Sequence, residues 1–281
     1  MNLISEVSNG IIEASTNISK DRKLAFKRAL DNETSESAIW ALKLMIENFE
    51  IAYNRKLPLC DDTGICHIFI EQGSNRDLAS NFIDDIKQGI YQGLNKLPAR
   101  PMAVKGNSIQ RIQQSEGLYN DPGQLVPPSF LIDKCDNPDK IKVHILLLGG
   151  GPEIRSKTYR VFHQHSSDKV FSTIVDWLKD MVSDLGCTPT IPSIGIGRTH
   201  FEASSLMLKG IVKGNLSNQS DIEQYITDEL NKTNVGPMGL GGKTTALGSF
   251  VNIGPQRASG VRIVSIRPLC FVEPRVFTIE I

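Results

Sequence analysis

Long apolar runs are missing from this chain. Nowhere do about 18 consecutive apolar residues occur, which argues against a conventional membrane-spanning helix. An excess of either charge is missing too: lysines plus arginines number 31 and aspartates plus glutamates 31. No overall field therefore recruits nucleic acid or an anionic membrane, although a local basic pocket is compatible with that balance. The first residues, MNLISEVSNGIIEAS, lack the basic start and continuous apolar stretch of a secretory signal. Cysteines are few, at 60, 66, 135, 187 and 270, and their odd number and wide spread argue against a secreted disulfide framework. Neither C-x-x-C nor H-E-x-x-H occurs, so the usual zinc spacings are absent. There is also no internal repeat, low-complexity tract or obvious linker. The expectation is a soluble, cytoplasmic protein that binds neither nucleic acid nor membrane. With 281 residues it is expected to bury a large core as one domain over 1–281.

What the chain does have is helical periodicity early and strands later. Leu3, Val7, Ile11 and Ile12 recur with helical spacing, and Lys20 to Leu30 reads as a second helix. From Ile39, the residues Leu42, Met45, Ile46, Phe49 and Tyr53 share one face of a third helix that leads into Pro58. A strand is expected over Ile65 to Glu71 and a helix over Leu78 to Tyr91. The stretch from Pro98 to Pro128, with five prolines and three glycines, has no periodicity, and no element is assigned to it. Ile141 to Leu148 is the clearest strand, and it runs into Gly149-Gly150-Gly151. Helices are expected from Val170 to Leu185, Glu202 to Leu208 and Ser220 to Leu230, with a strand from Val261 to Ile266 and an alternating tail from Phe271. Strands recur without regular β-α alternation, so the expected class is α+β, a mixed sheet flanked by helices with a mainly helical N-terminal region.

The densest chemistry lies in Leu57-Pro58-Leu59-Cys60-Asp61-Asp62-Thr63-Gly64, where a thiol, two carboxylates, a hydroxyl and a turn glycine fall on a loop between helix and strand. Taken alone, Asp61 and Asp62 would serve as turn or cap residues. Cys60, Cys187 and Cys270 share a setting, each at the junction of a regular element and a loop near a proline. Three thiolates suit a four-iron, four-sulfur cluster with one iron lacking a protein ligand. Spacing alone nevertheless favours inert buried cysteines, the reading taken for Cys66 and Cys135. Gly242-Lys243-Thr244 suggests nucleotide binding, but five residues separate Gly236 from Gly242 where a P-loop needs four, and no apolar strand precedes it. Gly149 to Gly151 lacks the later glycine of a dinucleotide fingerprint. Both loops are as compatible with tight turns as with anion-holding backbone. His163 and His165, two apart, are expected to splay, and all five histidines are read as satisfied core or surface residues.

Taken together, these loops resemble the alpha subunit, or N-terminal half, of iron–sulfur-dependent class I fumarate hydratases and the related L-tartrate dehydratases. The matching strings are LPLCDDTG at 57–64, GGGPEIRSK at 149–157, GCTPTIPSIGIG at 186–197, GPMGLGGKTTALG at 236–248 and the strand that leads to Cys270. They follow the family's order from the third helix to the C-terminus. The resemblance reverses the reading of the cysteines: it implies that Cys60, Cys187 and Cys270 ligate a four-iron, four-sulfur ([4Fe–4S]) cluster. It places Asp62 at the family's active-site aspartate, as an acid/base or substrate-hydroxyl contact, and Thr63 and Gly64 in the same loop. Gly150 and Gly151 match glycines whose backbone receives a substrate carboxylate, and Lys243 lies in a matching loop without a defined role. Asp61 and Thr63 are counted with the substrate-binding set.

Two positions depart from the family. Glutamine is common where this chain has Asp61, and a second carboxylate there repels a dianionic substrate unless it is protonated or turned away. The Asn-Thr-Gly pattern that accompanies the family's substrate arginine is not evident between Arg100 and Pro128, and Arg111 stands as the candidate. The implied activity is reversible hydration of a dicarboxylate of the fumarate/malate type, with L-tartrate or mesaconate as alternative substrate types. A non-catalytic, cluster-bearing redox sensor is the alternative from another class. The resemblance further implies a separate beta subunit and a hetero-oligomer.

Overall fold

The computed structural model describes residues 2–281. In chain order the helices and strands are α1 (Leu3–Thr16), α2 (Lys20–Asn32), α3 (Glu36–Arg55), β1 (Ile65–Gln72), α4 (Phe82–Lys96) and α5 (Ser108–Gln113). They continue with β2 (Leu131–Lys134), β3 (Ile141–Leu148), α6 (Gly150–Glu153), β4 (Lys157–Phe162), α7 (Ser167–Leu185) and β5 (Ile191–Gly197). The last are α8 (His200–Lys213), α9 (Asp221–Asn231), β6 (Phe250–Ile253), β7 (Val261–Leu269) and β8 (Arg275–Glu280). The class is α+β, as expected, and three helices precede the first strand. The mixed sheet expected from the sequence is two mixed sheets, each in its own compact unit. One unit comprises Met1–Asn17, Phe49–Gly149 and Arg275–Ile281; the other comprises Ile18–Asn48 and Gly150–Pro274. No helix among the described residues is long and apolar enough to cross a membrane.

The first unit holds a sheet in the order β2-β1-β3-β8. Alternation along β1 and β3 turns Cys66, Ile68, Ile70, Val143, Ile145 and Leu147 to one face, where Val7 and Ile11 of α1 and Ile86 and Ile90 of α4 complete the core. The two helices pack closely because α4 carries glycines where they meet. A Cβ at Gly89 would come within 2.6 Å of Val7 Cβ, and one at Gly93 within 2.7 Å of Ile11 Cβ. On the opposite face, β1, β3 and β8 bring Phe69, His144 and Thr278 side by side. His144 lies 2.9 Å from Glu71 Oε2 and 2.8 Å from Thr278 Oγ1, the satisfied core histidine expected from the sequence. Helix α4 begins at Phe82 rather than Leu78. The aperiodic stretch does contain a short exposed helix, α5, which Asn107 and Gln110 close with a capping box.

The second unit holds a sheet in the order β4-β7-β5-β6. Its core joins Ile174 and Leu178 of α7, Ile194 of β5, Val264 and Ile266 of β7, and Ile226 and Leu230 of α9. Two of its strands escape the hydrophobic pattern: β4 interleaves Lys157 and Arg160 with its apolar residues, and β6 has only four residues. Both lie at the edges of the sheet, where alternation is weakest. The histidines at 163 and 165 do not splay. A turn with left-handed Gln164 and His165 sets their rings edge to face at 5.2 Å, and His163 accepts the His165 N–H while its Nε2 reaches Ser259 O at 2.8 Å. The two sheets also share a pairing pattern that no sequence repeat announces. In each, one strand is parallel to a first neighbour (β2 on β1, β6 on β5) and antiparallel to a second (β3, β7), beyond which an antiparallel edge strand follows (β8, β4).

The glycines that interrupt the apolar run 191–197 are explained by α8, which lies across β5. A Cβ at Gly195 would stand 2.0 Å from Ala203 O and 2.5 Å from Met207 N, both backbone atoms that cannot move aside singly. Gly195→Ala should therefore cost about 3 kcal/mol or prevent folding. Gly260→Ala, whose Cβ would enter open space, should stay within about 0.5 kcal/mol. Denaturant unfolding of the two variants checks the contrast.

Candidate functional site

In the first unit, the loop that joins α3 to β1 carries Cys60 to Gly64. It is fastened at its start, where Leu59 N donates to Ser15 O at 2.9 Å, and at its end by Gly64, whose φ of 82° lies in the left-handed region. Asp62 closes a turn by accepting the Gly64 N–H at 2.9 Å, as the bare sequence suggested. Thr63 is buried, and its hydroxyl accepts the backbone N–H of Arg100. Burial pushes the Cys60 thiol above its ordinary range. The N–H of Asp62 pulls the other way, Asp61 adds to the rise, and the charge of Arg275 opposes it. The Cys60 thiol donates to Asp61 Oδ1 at 3.4 Å.

Two arginines in this unit escaped the sequence reasoning. Arg275, at 2 % exposure, donates from Nη1 to Asp62 O at 2.7 Å. Arg100 reaches Asp61 Oδ2 at 3.4 Å. The charge of Asp61, the unexplained departure from the family pattern, is thus answered by a cation. The pair is exposed, so it adds little to stability. Arg111, the candidate taken from the sequence, sits instead on the exposed helix α5. The only signal for Arg100 was that it opens the segment in which an arginine was sought, and for Arg275 that it opens the last strand.

In the second unit the structure brings Cys187 and Cys270 together: the Cys270 thiol donates to Cys187 and holds it below the ordinary thiol range. Burial and the Glu273 charge oppose the effect, and Arg155 supports it. Cys187 follows Gly186, whose left-handed φ of 75° ends α7, and its carbonyl accepts Phe271 N–H at 3.0 Å. The loop after Cys270 is clamped by two buried arginines. Arg22 donates to Phe271 O and Pro274 O at 2.8 and 2.7 Å, while Arg267 spans from Glu273 to Glu153 of the glycine loop. Gly150 and Gly151 open the single turn of α6, whose carbonyls accept Ile154 N–H and the Arg155 guanidinium. A Cβ at Gly151 would meet nothing within 4 Å, so the glycine there borders open space.

Lys243 lies in a loop fixed from behind by Glu33. Burial works to raise this carboxyl, but the backbone N–H groups of Ser35, Thr34, Lys243 and Thr244 hold it below the ordinary carboxylate range. The Lys243 ammonium donates to Asn32 O at 3.3 Å. Thr188, next to Cys187, ties the same loop down by donating to Gly236 O at 2.5 Å and accepting Gly239 N–H at 3.2 Å. A 3-10 turn at Pro237–Gly239 occupies the place where a P-loop would need its phosphate cradle.

The donor set suits a thiolate-bound group. Two of the three expected ligands, Cys187 and Cys270, meet within the second unit, and both offer soft sulfur donors. Among the described residues no group of three or more histidine, cysteine or acidic side chains is arranged to hold a metal ion. Cys66 and Cys135 are buried, and burial drives the Cys66 thiol far above its ordinary range, as suits the inert role expected of it.

Similarity to known proteins agrees with the order of these loops. A protein from Methanocaldococcus jannaschii provisionally named L(+)-tartrate dehydratase subunit alpha is 29% identical over 252 residues, covering 86% of this chain and 85% of its own. L(+)-tartrate dehydratase subunit alpha of Escherichia coli K12 is 22% identical over 274 residues, 96% of this chain and 88% of its own, and that of Shigella boydii matches to the same extent. The model of the fumarate hydratase (Fumerase) family matches residues 4–279, so this chain belongs to the fumarate hydratase family and is a hydro-lyase.

Proposed function

We propose that this chain is the alpha-type subunit of a hydro-lyase that reversibly adds water to a dicarboxylate to form a 2-hydroxy acid, using a [4Fe–4S] cluster held by Cys60, Cys187 and Cys270. The observation that carries this reading is the contact between the Cys187 and Cys270 thiols, far apart in sequence and clamped by buried arginines. When bound, such a cluster with one iron lacking a protein ligand supplies Lewis acidity toward a substrate hydroxyl and its neighbouring carboxylate. The chain's own residues do the rest of its share. Asp62, its carbonyl held by Arg275 and its carboxylate turned by Gly64, exchanges a proton with the departing or arriving hydroxyl. Gly150 and Gly151 receive a carboxylate on their backbone, Thr63 shapes the Asp62 loop, and Lys243 adds positive charge.

Asp61, paired with Arg100, adds no unanswered negative charge against a dianionic substrate. Its carboxylate can also accept a hydrogen bond from a further substrate hydroxyl. That property, and the names of the relatives from M. jannaschii and E. coli, favour L-tartrate over fumarate/malate and mesaconate as the substrate type. The relatives are named subunits alpha, and we infer a beta subunit that completes the site in a hetero-oligomer, with residues 1–281 acting as one functional unit. Five free cysteines suit a reducing cytoplasm.

Co-expression with a beta-type partner under anaerobic conditions should yield turnover of L-tartrate, malate or mesaconate, whereas the chain alone should show none. A cluster-loaded complex that dehydrates no hydroxy acid would overturn the reading. After reconstitution, Cys60→Ser, Cys187→Ser and Cys270→Ser should each lose the visible absorption and iron of the cluster. Cys66→Ser and Cys135→Ser should keep both, and an intact cluster in any of the first three removes that cysteine from the ligand set. Asp62→Asn should leave iron content unchanged and lower kcat by about 100-fold, the usual scale for a lost acid/base group.

A further inference from the structure

Arg275 is placed in a way that the reading of Asp62 as the acid/base does not by itself require. It opens β8 opposite Leu147, near the end of β3, and is almost fully buried. One arm of its guanidinium holds Asp62 O at 2.7 Å. The other lies in the space that a side chain at Gly64 would occupy and in contact range of one at Gly149, which would press on the Asp62 carboxylate. A Cβ at Gly64 would stand 2.7 Å from Arg275 Nη2, and one at Gly149 would stand 3.4 Å from it and 3.0 Å from Asp62 Oδ2. One oxygen of the Asp62 carboxylate accepts the Gly64 N–H at 2.9 Å, and the other rests against Gly149. The first glycine of the GGGPE string and the glycine of the CDDTG string are thus empty of side chains at the positions where the guanidinium and carboxylate lie.

We infer that Arg275 is a positioning residue for Asp62: the planar fork of the guanidinium, buried against Gly64 and Gly149, sets the direction in which the Asp62 carboxylate points. This rests on the proposed role of Asp62. Lysine cannot reproduce the effect, because a single ammonium cannot hold the carbonyl and fill the glycine-lined space at once. The carbonyl anchor and the turn to Gly64 act in series. Loss of the first releases the second, and the loop then samples other orientations without losing Cys60 as a donor.

The test uses the cluster-loaded complex with its partner subunit and the variants Arg275→Lys, Arg275→Met and Gly149→Ala, alone and combined with Asp62→Asn. Each single variant should keep its iron, lower kcat by about tenfold or more and leave KM within about twofold, the mark of an interaction that orients a reacting group. In the Asp62→Asn background the same changes should add less than about twofold, because both act through one carboxylate. Added guanidinium should restore part of the Arg275→Met loss. Amide exchange across residues 61–64, read by mass spectrometry, should quicken about tenfold in both Arg275 variants. Unchanged kcat in Arg275→Lys, losses that multiply with Asp62→Asn, or unchanged exchange at 61–64 would each overturn the inference. Should Arg275→Met fail to fold, Arg275→Lys and Gly149→Ala carry the test. A wild-type complex without hydro-lyase turnover sinks the functional reading instead, and the exchange measurement still decides whether Arg275 holds the loop.

Discussion

A guanidinium taken out of water must have its charge and N–H groups answered, or the burial costs several kcal/mol. Arg22, Arg267 and Arg275 are each at most 2 % exposed. The Nη groups of all three donate to groups on the chemically loaded loops. Arg275 holds the carbonyl of Asp62 in the first unit. In the second, Arg22 holds the carbonyls that follow Cys270, and Arg267 joins Glu273 to Glu153. Loops that display reactive groups gain little stability from apolar burial, so their shape depends on such polar anchors. Removing one anchor would leave buried carbonyls, and for Arg267 the buried Glu273 carboxylate, without their donor as well as a loose loop. That coupling explains why the cysteine and aspartate loops can be irregular in backbone yet single-valued in geometry.

The glycines of the family strings complement the arginines. Gly64 and Gly149 leave room for a guanidinium and a carboxylate. Gly242 leaves room for Glu33, since a Cβ there would stand 2.8 Å from its Oε2. Glu33 in turn pins the lysine loop through backbone N–H groups. At these three positions of this chain the glycines leave room for polar side chains. Elsewhere the role of glycine is purely steric: Gly89 and Gly93 let α4 meet α1, and Gly195 lets α8 meet β5.

Helices α1 to α3 and strands β1 and β3 were legible because their apolar residues recur at one period over many residues, and burial of one face reads out that period directly. The turn at Asp62 and Gly64 was legible because its partners are two residues apart. Strands β4 and β6 were not, since an edge strand with charged residues, or one of only four residues, carries too short an alternation to separate from a loop. Helix α5 hid within a proline-containing stretch because its stability comes from a capping box and none of its residues is buried. The shared pairing pattern of the two sheets left no repeat in the sequence, because backbone ladders constrain side chains only to alternate.

By itself, the sequence determined the family and the class of fold, and it singled out the loops and cysteines to be examined, all from local strings and periodicity. Only the tertiary structure decided what those loops rest on. Cys187 finds Cys270, Lys243 finds Glu33, Asp61 finds Arg100, and Asp62 finds Arg275 across 213 residues of chain. The physical reason is that a side chain's charge is answered by whatever the fold brings within hydrogen-bond reach. That neighbour leaves no periodic trace along the chain.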